Sequence, residues 1–160
     1  MINGETLIKV DNEEIKNGIY VIPLSVKRIG KFAFYNCVNL QNIIFHNEIT
    51  NIEESAFYRC INLKEINFPP KIKKIDRNTF YKCKSLTKIN IHSNIEKIEE
   101  YAFAYCSNLK KVYIHDKVNF VGNDAFIGCN NLEEAIFDSK LKELNNCVFD
   151  GCISLKKVVL

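Results

Sequence analysis

Seven cysteines and three histidines carry most of the reactive chemistry in this sequence, and their spacing decides what that chemistry can be. Cys37, Cys60, Cys83, Cys106, Cys129 and Cys152 follow one another at intervals of 23 residues. Structural zinc sites draw on cysteine pairs about two to four residues apart, and no such pair occurs here. The interval predicts one small buried thiol per turn of a repeating chain. Neighbours in such a row come near disulfide distance, but parallel Cβ vectors at strand spacing oppose a bond. Cys147 is out of phase, at a position held elsewhere by Phe32, Ser55, Asn78, Tyr101 and Asp124, and is expected to be the exposed thiol. His46, His92 and His115 also share one phase, with Pro69 between the first two and Asp138 next in the column. Two adjacent imidazoles make a poor metal site, so the three are expected to be solvent-facing rim residues. Glu53/Glu54 and Glu99/Glu100 fall at a single turn phase and read as solvated surface. No Ser-His-Asp pattern, Gly-rich phosphate loop or His-Glu-x-x-His appears. The sequence therefore offers no catalytic residue, no metal ligand set and no cofactor, and it does not read as an enzyme.

The elements behind these rows repeat with the same period. "AFYNCVNL", "AFYRCINL", "TFYKCKSL", "AFAYCSNL", "AFIGCNNL" and "VFDGCISL" start at 23-residue intervals without insertion or deletion. Phe34, Phe57, Phe80, Phe103, Phe126 and Phe149 keep the interval, as do Leu40, Leu63, Leu86, Leu109, Leu132 and Leu155. A strict period in this range marks a solenoid. Within one period, Ile66 and Phe68 are two apart and face one side of a strand while Asn67 faces the other. Ile43/Phe45, Ile89/Ile91, Val112/Ile114 and Ala135/Phe137 repeat the pattern. Ile72 and Ile75, with their equivalents Ile49/Ile52, Ile95/Ile98, Val118/Val121 and Leu141/Leu144, predict a second short segment along another wall. The Ala-Phe-x-x-Cys piece is one tight helical or 3-10 turn, too short to stand alone. A single coil buries too little to offset its ordering entropy, so coils must stack.

The run "YVIPLSVKRIGKFAFYNCVNLQNI" resembles the BspA-type leucine-rich repeat, of about 23 residues, in its I-x-I-P-like, V-x-x-I-G-x-x-A-F-x-x-C and N/S-L elements. The resemblance covers residues 19–160. It implies an α/β leucine-rich repeat solenoid, a right-handed open horseshoe or arc. A parallel concave β-sheet and short helical or 3-10 turns on the convex side complete the implied fold. The proline after the strand is kept only at Pro23 and Pro69, and the glycine after the second Ile only at Gly30 and Gly122.

Composition agrees with an ordered chain: 160 residues, 47% hydrophobic, three prolines and six glycines. A net charge of +3, from 22 basic and 19 acidic residues without any block of like charge, gives no reason to expect nucleic acid. No run of ~18 apolar residues predicts a membrane span, and the first residues lack a secretory pattern. Residues 1–18 lack the motif. They are expected to cap the array at residues 19–160 through the strand-like "TLIKV". "KKVVL" ends with Val158-Val159-Leu160 mid-coil, an edge expected to be continued by further repeats or covered by a partner.

The outward strand positions are then the candidate partner-binding face: Asn42, Ile44, Glu65, Asn67, Lys88, Asn90, Lys111, Tyr113, Glu134 and Ile136. Tyr113 beside Lys88 and Lys111 has the make-up of an interface hot spot. Two functions follow. One is a protein-binding or other macromolecular recognition module, which the resemblance associates with cell adhesion and host-matrix binding at the cell surface. The other is an intracellular, cytoplasmic scaffold with reduced core thiols.

Overall fold

In the computed structural model, residues 1–138, 141 and 144–159 are described. Alternation of apolar and polar residues over three or four positions builds the first wall. Among the described residues, seven strands follow at the repeat interval: Ile19–Val21, Asn42–Ile44, Glu65–Asn67, Lys88–Asn90, Lys111–Ile114, Glu134–Phe137 and Lys157–Val159. Pairing is parallel and in phase, with Tyr20 opposite Ile43, Ile66 opposite Ile89 and Val112 opposite Ala135. Two-residue strands form a second wall: Thr6–Leu7, Arg28–Ile29, Asn51–Ile52, Lys74–Ile75, Lys97–Ile98 and Phe120–Val121. Ile2–Asn3 pairs antiparallel with Thr6–Leu7, which pairs in parallel with Arg28–Ile29 and so covers the first coil.

The first wall is divided where one continuous sheet was expected. Ladder pairing lapses between Asn42–Ile44 and Glu65–Asn67, and again between Lys88–Asn90 and Lys111–Ile114. The second wall lapses at the same first point, between Asn51–Ile52 and Lys74–Ile75. Pro69 and Pro70, just downstream of Glu65–Asn67, bring no N–H to that junction.

The third wall consists of linked turns closed by i to i+3 bonds, such as Tyr35 N to Phe32 O (2.9 Å) and Cys37 N to Phe34 O (3.1 Å). The one helical stretch among the described residues is the 3-10 turn Asn12–Glu14, ahead of the array. Two left-handed residues per coil keep the turns from running on as a helix. Phe32, Ser55, Asn78, Tyr101, Asp124 and Cys147 occupy one phase, with φ between 55° and 58°. Asn36, Arg59, Lys82, Tyr105, Gly128 and Gly151 occupy the other. A non-glycine residue costs about 1–2 kcal/mol there. Bonds between coils offset it, for example Phe57 N to Thr79 O (2.9 Å) and Arg59 N to Tyr81 O (2.7 Å). This wall stays hydrogen-bonded where both sheets lapse.

Inside, the phenylalanines form one row. Ring centroids of Phe34, Phe57, Phe80, Phe103, Phe126 and Phe149 are stacked at 4.8, 5.3, 5.4, 5.4 and 5.7 Å in turn. The first five rings are fully buried. The cysteine row lies beside them, buried from Cys37 to Cys129, half-buried at Cys152, with Cys147 exposed. Each in-phase thiol donates to a carbonyl of the preceding coil: Cys60 Sγ to Phe34 O (3.0 Å), Cys83 Sγ to Phe57 O (3.3 Å) and Cys106 Sγ to Phe80 O (3.3 Å). A thiol thus fills the space of a small apolar group while its S–H still finds a buried acceptor.

The histidine column departs from the exposed rim expected of it. His46 and His92 are half-buried and His115 is 7% exposed. In each ring Nε2 meets a carbonyl one coil back, at Pro23 O (3.1 Å), Pro69 O (3.0 Å) and His92 O (2.7 Å). Nδ1 accepts the backbone N–H two residues on, from Glu48, Asn94 and Lys117. Both ring nitrogens are committed to backbone, which fixes the donor at Nε2 and leaves no lone pair for a metal. Among the described residues no three His, Cys, Asp or Glu side chains are grouped as metal ligands. His115→Phe keeps the ring volume, strands the Lys117 N–H and removes one of the two bonds to the His92 carbonyl, which still accepts from Ile95 N. We expect it to lower unfolding free energy by about 1–3 kcal/mol, read from urea midpoints.

Candidate partner-binding face

Alternation along each long strand turns one residue inward and the next to water. Ile66, Val112 and Ala135 are buried, whereas Glu65, Asn67, Lys88, Asn90, Lys111 and Tyr113 are exposed. Asn42, Glu134 and Ile136 are half-buried, and Ile44 is exposed to 52%. The ten outward residues therefore share one wall, distributed over three separately paired groups of strands.

Two columns run across this face. In the first, Lys111 Nζ reaches Glu134 Oε2 at 2.7 Å, and that hydrogen bond and charge hold the Glu134 carboxyl below its ordinary range. Lys64, Lys88 and Lys110 form no ion pair among the described residues, and the exposed Glu65 lies opposite Lys88 in the ladder. In the second column, Tyr113 is 48% exposed and its hydroxyl donates to Asp138 Oδ2 at 3.0 Å. That bond raises the phenol, with partial burial and the Asp138 charge adding to it. The pairing lapse opens a cleft of about 300 Å³ between coils, lined by Asn42, Ile43, Ile44, Phe45, Glu65 and Asn67.

Sequence reasoning missed both ends of the face. Ile19 and Val21 are exposed beside Asn42 and Ile44, and Lys157 and Val159 beside Glu134 and Ile136. "IYV" at Ile19–Val21 is in phase with "NII" at Asn42–Ile44 and carried the signal. Val158 and Val159 of the edge strand are exposed, and Leu160 lies outside the described residues.

The repeat register and the three walls can be set against known proteins. A BspA type leucine rich repeat region matches residues 21–156 in six copies. The chain belongs to the BspA-type leucine-rich repeat family. Solved structures agree with this BspA-type assignment. A leucine-rich repeat protein of T. pallidum is 28% identical with a TM-score of 0.85, covering 89% of this chain and 69% of its own. One from Bacteroides ovatus is 26% identical with a TM-score of 0.76, covering 89% of this chain and 45% of its own. A leucine rich cell surface protein from Faecalibacterium prausnitzii is 26% identical with a TM-score of 0.62, covering 76% and 39%. No match was found among curated proteins. Leucine-rich repeat arrays such as this BspA-type chain are generally protein-interaction modules. No helix among the described residues is long and apolar enough to cross a membrane.

Proposed function

We propose that this BspA-type array is a non-enzymatic recognition module that binds a protein on its concave sheet and serves adhesion at a cell surface. The observation that carries the reading is the outward column of the long strands. Water-facing positions there hold Ile44 and Tyr113, each about half exposed, on a wall that also carries Lys111, paired to Glu134, and Lys88, unpaired among the described residues. Large apolar and aromatic groups among charges at such positions have the composition of an interface core. The relative from Faecalibacterium prausnitzii, itself described as a cell surface protein, supports the adhesive setting.

The test is capture by immobilised extracellular-matrix proteins, with the wild-type chain run beside Tyr113→Ala/Lys111→Glu. Removing a hot-spot aromatic and reversing its neighbouring charge is expected to weaken capture by more than about tenfold. The melting temperature should barely move, because surface changes stay within about 0.5 kcal/mol. Undiminished capture by the double variant would move the interface off this face, and its unfolding would overturn the inside/outside assignment.

A further inference from the structure

The turn wall carries a second surface, remote in kind from the concave sheet. Tyr35, Tyr58 and Tyr81 occupy one phase of three consecutive coils, with ring centroids 5.7 and 4.7 Å apart and planes within 19°. Tyr105 continues the row edge-on to Tyr81 at 5.4 Å. Arg59 and Lys82 follow Tyr58 and Tyr81 directly in the chain, and Lys84 lies two further on. Lys82 Nζ is 5.3 Å from the Tyr81 centroid and 5.5 Å from that of Tyr105. Burial raises the Tyr81 phenol, and the nearby Arg59 guanidinium partly offsets that rise. Among the described residues none of these three cations pairs with a carboxylate, although Lys31, Lys74, Arg77 and Lys111 all do. Tyr81, Lys82, Lys84 and Tyr105 line a polar cleft of about 480 Å³ together with Ser107 and Asn130.

We propose that this strip of Arg59, Lys82 and Lys84 interleaved with Tyr58, Tyr81 and Tyr105 binds an acidic polysaccharide lying along the solenoid axis. Three physical points favour a glycan over other polyanions. Tyr58 and Tyr81, at the middle of the strip, spend their faces on neighbouring rings, whereas single-stranded nucleic acid needs open faces on which bases can stack. An extended peptide rises about 3.3 Å per residue, so alternate side chains fall about 6.6 Å apart and drift out of step with rows 4.7–5.7 Å apart. The rise of one sugar in an extended glycan is close to that spacing. Phenol, serine and amide groups supply the donors and acceptors that sugar hydroxyls need, and the unpaired cations supply charge complementarity.

The experiment measures binding of the whole chain to immobilised heparin and chondroitin sulfate near 0.15 M salt, with polyglutamate, oligothymidylate and uncharged dextran alongside. Both sulfated glycans should bind, and chondroitin sulfate should bind more tightly than polyglutamate despite its lower charge density. Arg59→Asn/Lys82→Asn/Lys84→Ser uses residues that stand in the same phases at Asn36 and Ser107, so the left-handed backbone keeps residues it already accepts. It should weaken glycan binding by about tenfold or more. Lys73→Thr/Lys74→Asn/Lys97→Asn removes the same charge from the second wall and should cost less than about threefold. Equal losses from the two triple variants would reduce the effect to net charge and overturn the proposal. So would failure of either glycan to bind, dextran binding as well as heparin, or polyglutamate or oligothymidylate binding as well as chondroitin sulfate. Capture by matrix proteins should survive the turn-wall variant, which separates this surface from the concave one.

Discussion

Raising the pH from about 8.5 to about 10 should destabilise the domain by several kcal/mol under reducing conditions. The cause is the thiol row. Burial pushes the Cys37 thiol up to about 11, and it pushes Cys60, Cys83 and Cys106 up as well. Cys129 is raised first by the neighbouring Cys152 thiol and then by burial. A folded-state value above the unfolded one means that the unfolded chain releases protons first, so stability is complete below the free-thiol value and falls as pH rises past it. Each such thiol contributes about 1.4 kcal/mol per pH unit over that window, and five together contribute about 7. Cys152, held down by the neighbouring Cys129 thiol, offsets at most one of the five. With that offset the row removes about 6 kcal/mol per unit, so a typical domain stability of about 5–15 kcal/mol would be exhausted over about one to three units. Circular dichroism and urea midpoints followed across the range provide the measurement. Cys83→Ala should make the pH slope shallower by about one thiol's share, or 1.4 kcal/mol per unit. Stability that stays level to pH 10 would mean that the row is wet.

Phe80→Ala should lower unfolding free energy by about 3–5 kcal/mol. Its ring lies between Phe57 and Phe103 at 5.3 and 5.4 Å, and Phe68 meets its edge at 5.7 Å, so truncation leaves a void walled by three rings. The lost stacking adds to the lost burial. Because each coil touches only its neighbours, the defect should weaken coupling between the two halves of the array and broaden the denaturant transition. Phe149→Ala supplies the comparison. That ring is half-buried and stacked on only one in-phase neighbour, at 5.7 Å, and should cost less than about half as much. Equal penalties at the two positions would contradict a row whose burial depends on neighbours on both sides.

Much of this was legible beforehand because burial is periodic. A residue that must face the core of every coil has to recur at one phase, so Phe34 to Phe149, Cys37 to Cys152 and the strand pairs announced themselves. The outward residues of the concave wall followed from alternation alone, and Cys147 was placed outside by being out of phase. The histidines were misplaced. Their phase was plain, but the carbonyls one coil back that hold Nε2 are backbone, and backbone has no letter in a sequence. The tyrosine and lysine strip went unnoticed for a related reason. Tyr105 is one position out of step with Tyr81, and only the left-handed turn brings the two rings together.

Sequence by itself determined the repeat length, the stacking order and which side chains point inward, since each follows from hydrophobic period and chain continuity. Tertiary structure alone decided where the sheets part beside Pro69 and Pro70, which turn residues adopt positive φ, and which charges are left without partners. Those outcomes depend on backbone bonds and side-chain distances between coils 23 residues apart, and they exist only once the coils are stacked.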